Sequence, residues 1–147
     1  MPSTLTSLNV HIVFSTKERR PLIKPAFKDD LFGYTGGIAK DLGAVPISVG
    51  GIEDHIHLLL GLRSWHRPDY VIRDIKSGST KWVTKEKKSI FKWQRGYAAF
   101  SVSPTRIKAV KKYIENQEEH HKGVSFEEEL IALLDEAEIE YDPKFLL

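Results

Sequence analysis

From Ala44 to Leu62 the chain reads AVPISVGGI, then ED, then HIHLLLGL. β-branched and large apolar residues favour extended backbone, and Glu53-Asp54 between the runs reads as a tight turn. The stretch therefore predicts a β-hairpin, with a bulge at the Gly50-Gly51 pair of its first strand. A hairpin in mid-chain already rules out an all-helical fold. A further strand is predicted at Leu8–Ser15 (LNVHIVFS), and another over Trp93–Val102 (WQRGYAAFSV).

Helical periodicities fill the spaces between. Ala26–Leu42 carries Phe27, Leu31, Tyr34 and Ile38 at helical spacing, and Gly43 closes it. Gly36-Gly37 weakens that helix by about 1 kcal/mol per residue, which predicts a close backbone contact there. Lys17–Pro25 reads as a basic loop. Pro68–Thr84 places Val71, Ile72, Ile75 and Trp82 on one side, with Lys76, Lys81 and Lys85 on the other. Ser103 is expected to cap a helix with Pro104 at its first position, running to about Lys122 and stopping at Gly123. A last acidic helix is predicted over roughly Ser125–Glu138, with Phe126, Leu130, Leu133 and Leu134 as its apolar stripe.

The order is strand, helix, strand, strand, helix, strand, helix, helix. It predicts an α+β fold of the ferredoxin-like or split βαβ plan: an antiparallel sheet with helices on one face, plus C-terminal helices. The 147 residues suit one domain, with its core at about 8–122 and an acidic helical tail at about 125–147.

Cysteine is absent, which excludes disulfides, thiolate zinc sites and cysteine nucleophiles. MPSTLTSLNV has no basic start followed by a long apolar run, and the apolar runs, such as Leu58-Leu59-Leu60 and the five residues Leu130–Leu134, are far short of a membrane span. These features predict a soluble, cytoplasmic protein with no membrane partner. Net charge is only +2, but it is unevenly spread. Between residues 63 and 112 the many lysines and arginines face only Asp69, Asp74 and Glu86, whereas Glu115–Glu140 is strongly acidic. The asymmetry suits a polyanion-binding half and a solvated or partner-facing tail, although a merely solvated basic face would look the same.

His55 and His57 are one residue apart in a predicted strand, so their imidazoles project from the same face while Ile56 and Leu58 point to a core. The pair is a workable set of metal ligands, and Asp54 or Glu53 could orient an imidazole. The same spacing also suits packing or surface histidines. With no cysteine, zinc, manganese and magnesium all stay open, and at least one more ligand is needed. The helix after Ser103 offers candidates: Tyr113 and Gln117, four apart, lie on the border of its Ile107–Val110–Ile114 stripe. A border tyrosine is more often an amphipathic packing residue. His120 and His121 read as cations at a helix C-terminus, and the lack of an acid-rich cluster argues against a two-metal nuclease.

The stretch GGIEDHIHLLLGL resembles the HUH motif, two histidines around a bulky apolar residue. WQRGYAAFSVS, followed by a helix carrying YIENQ, is similar to the other hallmark of the single-tyrosine HUH transposases of bacterial insertion sequences, the IS200-like transposases. The resemblance runs in order from about residue 8 to residue 122. It implies that His55, His57 and Gln117 hold a divalent ion, magnesium or manganese, with no nucleotide cofactor. It implies that Tyr113 attacks a phosphorus in single-stranded DNA, forms a 5′-phosphotyrosine and frees a 3′-hydroxyl, and that rejoining uses the energy kept in that ester.

The resemblance further implies a homodimer with shared active sites, the histidines of one subunit working with the tyrosine of the other, on DNA with terminal hairpins. Arg73, Lys76, Lys81, Lys85, Arg95, Lys108 and Lys112 are then expected phosphate contacts, together with Lys111. Trp82 and Trp93 could stack on bases or pack in the core. Three other readings remain: a domesticated relative acting on repeated chromosomal hairpins, a non-catalytic nucleic-acid-binding module on the same plan, and a zinc hydrolase.

Overall fold

In the computed structural model, which describes residues 3–146, the sheet is built as the alternation of the strands requires. Its strands are β1 (Leu8–Ser15), β2 (Val45–Ile52), β3 (His55–Leu62) and β4 (Ala98–Val102). They lie in the order β2-β3-β1-β4, every neighbouring pair antiparallel. Helix α1 (Lys28–Asp41) connects β1 to β2 across β3, and α2 (Pro68–Glu86) connects β3 to β4 across β1. Two split βαβ units thus interlock, as the sequence predicts.

One face of the sheet is a plain apolar core. Ile12 and Phe14 of β1 and Ile56, Leu58, Leu60 and Leu62 of β3 pack against Leu31 and Ala39 of α1 and Val71, Ile72, Ile75 and Val83 of α2. The residues between them on the same strands point to the opposite face. That face is covered by α3 (Ile107–Glu115), the short α4 (Gln117–His120) and α5 (Phe126–Glu136). Leu59 meets Val102 and Ile114 there, with Ile107 and Val110 of α3 packed against them, and Val13 meets Phe126, Leu130 and Leu134 of α5. α5 starts with a capping box: Ser125 accepts from the Glu128 N–H, and the Glu128 side chain accepts from the Ser125 N–H.

Several expectations are corrected. The irregularity in β2 falls between Pro46 and Ser48, while Gly50 and Gly51 stay in register opposite His57 and Ile56. The Gly36-Gly37 pair is not needed for a close approach: a Cβ on Gly36 would make ordinary 3.7 Å contacts with the Pro46 and Val49 side chains of β2, and one on Gly37 would meet nothing. The last strand is five residues long, because Trp93 joins the sheet only through a single bridge to Thr16 and Gly96 turns the chain with φ 88°. The helix predicted from Ser103 begins as a 3₁₀ turn at Pro104–Arg106, without a side-chain cap bond from Ser103. It then breaks at Asn116 (φ −101°, ψ 20°) and ends at His120, short of Gly123. Gly43 does close α1, in the left-handed region at φ 88°. Among the described residues no helix is long and apolar enough to cross a membrane.

Candidate functional site

β3 carries the two histidines into the middle of the sheet. His55 stands opposite Ser15 and Ile52, and His57 opposite Val13 and Gly50. Both imidazoles point away from the α1–α2 core, as alternation with Ile56 and Leu58 demands. Gly50 decides what can lie above them. A Cβ at that position would collide with the backbone carbonyl of Ile114. Glycine therefore lets α3 lie directly on β2, which brings Tyr113 and Gln117 over the histidines.

The contacts are dense and dry. His55 Nε2 lies 2.9 Å from Gln117 Oε1, and its Nδ1 lies 2.8 Å from Asp54 Oδ1. His57 Nε2 lies 2.9 Å from Glu129 Oε1, and its Nδ1 lies 2.8 Å from Nε2 of His11. Asp54 orients the first imidazole, as the sequence suggests, and His11 orients the second; Glu53 makes no such contact among the hydrogen bonds of the described residues.

Glu129, on α5 and only 2% exposed, is the hub. Its Oε1 faces imidazoles: besides His57 it lies 3.2 Å from Nε2 of both His55 and His121. Its Oε2 faces α3 and α4. It accepts hydrogen bonds from the Tyr113 hydroxyl and, at 3.0 Å, from Gln117 Nε2, and lies 3.3 Å from His120 Nε2.

A buried carboxylate must be paired. Burial alone would raise the Glu129 carboxyl, but hydrogen bonds from His55 and His57 outweigh it and hold the group well below the usual carboxylate range. Burial alone would lower His55, but the bonds to Asp54 and Glu129 dominate and raise it to about 9. Burial wins at His57, lowered to about 4 despite Glu129, and at His11, lowered to about 3 with help from the positive charge of His57. Burial, then the Glu129 charge, push the Tyr113 phenol well above its ordinary value. The charged pair in the site is thus Glu129 with His55, and Tyr113 stays protonated.

The same atoms fit a divalent cation. One donor atom from each of His55, His57, His121 and Glu129 lies within 4.8 Å of the other three, and the Gln117 carbonyl oxygen sits on His55 and His121. Imidazole nitrogens with a carboxylate and an amide oxygen suit a first-row divalent metal, and imidazole-rich donor sets suit manganese or zinc better than magnesium.

Among the sequence-predicted residues, His55, His57, Tyr113 and Gln117 are brought together. The basic residues are not. Lys108 and Lys112 are exposed on α3, Lys81 and Lys85 on α2 across the sheet, and Arg95 on the loop before β4. Lys76 is structural: its ammonium donates to the carbonyls of Gln94 (2.9 Å) and Gly96 (2.6 Å) and lies over the Phe14 ring. Arg73 is exposed and stacked on Tyr70. Trp93 is a core residue whose indole N–H donates to Ser79 at 2.8 Å, and Trp82 is half-buried against Tyr34.

Sequence reasoning missed Glu129, His121 and His11. His121 does not turn out to solvent at the helix end but joins the cluster, its Nδ1 2.6 Å from the Val124 carbonyl. The acidic tail is not wholly solvated, since Glu129 closes the site. One signal was available: Glu129 falls three residues after Phe126 and four before Leu133, inside the apolar stripe of α5. Beside Tyr113 an open groove of about 820 Å³ runs along β4, lined by His11, Phe100, Ser101, Ser103 and Arg106.

The family model described as "Transposase IS200 like" matches residues 4–117. No protein of curated function matches the chain. Two solved structures share the fold. One is a candidate transposase from Deinococcus radiodurans R1, with 22% identity, TM-score 0.63, and 80% of this chain and 95% of that chain covered. The other is a REP-associated tyrosine transposase bound to a REP hairpin, with 13% identity, TM-score 0.63, and 84% and 74% covered.

Proposed function

This chain belongs to the IS200-like transposase family, and from that premise we propose that it cuts and rejoins hairpin-bearing single-stranded DNA through a covalent 5′-phosphotyrosine on Tyr113. The observation that carries this reading is the convergence on Glu129: one buried carboxylate touches the Tyr113 hydroxyl, both β3 histidines and Gln117. Nucleophile and metal donors form a single site. A binding module would have no use for that convergence, and a hydrolase of small esters would have no use for the tyrosine.

In the reaction a bond forms between the Tyr113 phenol oxygen and phosphorus, and the bond from phosphorus to the 3′-oxygen breaks. The downstream strand stays on the protein and a 3′-hydroxyl is released. Tyr113 must lose its proton and the leaving 3′-oxygen must gain one; Glu129 Oε2, held well below the usual carboxylate range, accepts the Tyr113 hydrogen bond and so orients the hydroxyl. Asp54 and His11 fix the orientation of His55 and His57 so that Nε2 of each faces the donor cluster. His55, His57 and Gln117, with His121 and Glu129, would hold a divalent ion, which when bound would supply Lewis-acid polarisation of a phosphate oxygen. The groove beside Tyr113 offers the cleaved strand a path. Hairpin DNA as ligand class is supported by the solved relative bound to a REP hairpin.

The test uses oligonucleotides carrying hairpins from the DNA flanking the gene, with manganese or magnesium. A denaturation-resistant protein–DNA adduct is expected, and it should vanish in Tyr113→Phe. Nicking that persists in Tyr113→Phe without an adduct would sink the mechanism. The homodimer with shared sites belongs to the same proposal. Within one chain the Tyr113 and His57 rings are already 5.7 Å apart, so sharing requires α3 to change partners. Mixing Tyr113→Phe with His57→Ala separates the two cases. Adduct returns in the mixture if sites are shared, and stays absent if each chain uses its own tyrosine.

A further inference from the structure

The loop between β3 and α2 displays an aromatic ring that the fold does not bury. Trp65 is 67% exposed, although a tryptophan normally contributes roughly 150–250 Å² of burial. Its position is nevertheless fixed. Its ring lies against His66, tilted by 34° with centroids 4.0 Å apart. Its edge rests on the backbone of Gly43, where an added Cβ would meet the indole at 2.9 Å. His66 is itself tied at both nitrogens: Nδ1 accepts from the Arg63 N–H at 2.7 Å, and Nε2 donates to the Leu42 carbonyl at 2.8 Å. Arg63 Nε adds a bond to the Gly43 carbonyl at 3.3 Å.

One turn further on, Tyr70, 45% exposed, carries two guanidinium groups on its ring, Arg67 at 3.8 Å and Arg73 at 4.5 Å. Asp69 and Asp74 hold those arginines in place, at 2.9 and 3.1 Å, while both arginine side chains remain mostly exposed. The surface therefore offers one indole and two guanidinium planes, each guanidinium paired with an aspartate. Indole and guanidinium planes are what unpaired bases stack on, and guanidinium groups also accept phosphate. Little side-chain entropy is left to lose on binding, because the planes are held before any ligand arrives.

We propose that Trp65 and the Arg67–Tyr70–Arg73 stack form a docking platform for unpaired bases of single-stranded DNA, separate from the cleavage site. It rests on the transposase reading for the identity of its ligand. The seven residue steps from His55 to Leu62 span roughly 23 Å at strand spacing, so no single nucleotide touches both places. Platform and cleavage site hold two separate parts of one strand.

The probe is a fluorescein-labelled twelve-nucleotide oligothymidine, titrated by anisotropy against the full chain in EDTA, with a duplex of equal length alongside. Stacking on an aromatic is worth roughly 1–3 kcal/mol per base by alanine substitution, so Trp65→Ala should weaken single-strand binding about 5- to 150-fold. Trp65→Phe should restore most of it, and duplex binding should not change. Arg73→Ala, which leaves the indole in place, should weaken binding less. Equal single-strand affinity in wild type and Trp65→Ala, or no single-strand binding by wild type, overturns the platform. Adduct formation through Tyr113 on hairpin DNA is scored separately, so either result leaves the transposase reading to stand or fall by itself.

Discussion

The two faces of the sheet are made by the same strands and have opposite characters. On the α1–α2 side, β1 and β3 contribute Ile12, Phe14, Ile56, Leu58 and Leu60, all at most 1% exposed. On the α3–α5 side the intervening positions contribute His11, Val13, His55, His57 and Leu59, equally buried apart from His11 at 4%. The first face loses nothing by being dry. The second holds four imidazoles, an amide and a carboxylate that water would otherwise solvate, and each must find a partner within the protein. Alternation lets one strand serve both ends: the apolar face supplies the rigidity that the polar face needs in order to keep its groups aligned.

The contrast can be broken most completely with a chelator. EDTA should reduce adduct formation to background while far-UV circular dichroism stays unchanged, because Glu129 satisfies the histidines when no ion is present. Collapse of helicity would mean that the polar face also holds the fold. Next come Leu58→Ala and Leu59→Ala, neighbours that face opposite ways. Each should cost about 2–5 kcal/mol in denaturant unfolding. Only Leu59→Ala, which undercuts Ile114 of α3, should also slow adduct formation per folded molecule. An equal rate in the two variants would show the faces to be coupled throughout.

Smaller effects refine the picture. Asp54→Ala frees the His55 ring and should weaken manganese binding about 10–100-fold by calorimetry, with stability nearly unchanged. Unaltered affinity would mean that Asp54 does not orient His55. Ser125→Ala removes the cap of α5 and should lower stability by about 1 kcal/mol. Faster hydrogen exchange should then appear in the first turn of α5, close to Glu129, and not in α2.

Much of this was legible beforehand. β1 and β3 begin and end where composition predicts, since each is a run of branched and aromatic residues closed by a loop or turn. Spacing puts His55 and His57 on one strand face and Tyr113 and Gln117 on one helix border, but it suits packing residues equally, and the resemblance to the HUH motif and the YIENQ helix is what singles the four out. The boundary of β4 was not legible, because residues 93–97 have strand-like composition and leave the sheet for tertiary reasons. Trp93 is drawn into the core by Phe14 and Ser79, and Lys76 pins the carbonyls on either side of Arg95. Glu129 was masked by its neighbours: among Glu127, Glu128 and Asp135 one more acid looks like solvated charge, and its place inside the apolar stripe of α5 was the one sign that it is buried. His11 gave no signal, because its partner His57 is 46 residues away and is reached only through strand pairing.

The stretch matched by the family ends at Gln117, whereas Glu129 arrives twelve residues later on a helix of its own. The Tyr113 hydroxyl donates to that carboxylate, so in the proposed reaction this bond opens before the oxygen meets phosphorus. The carboxylate on which the site converges and the residues that it holds therefore lie in separable lengths of the chain. Changes confined to α5 leave the histidines, the tyrosine and the sheet unaltered in sequence, yet act on all of the site's groups through Glu129.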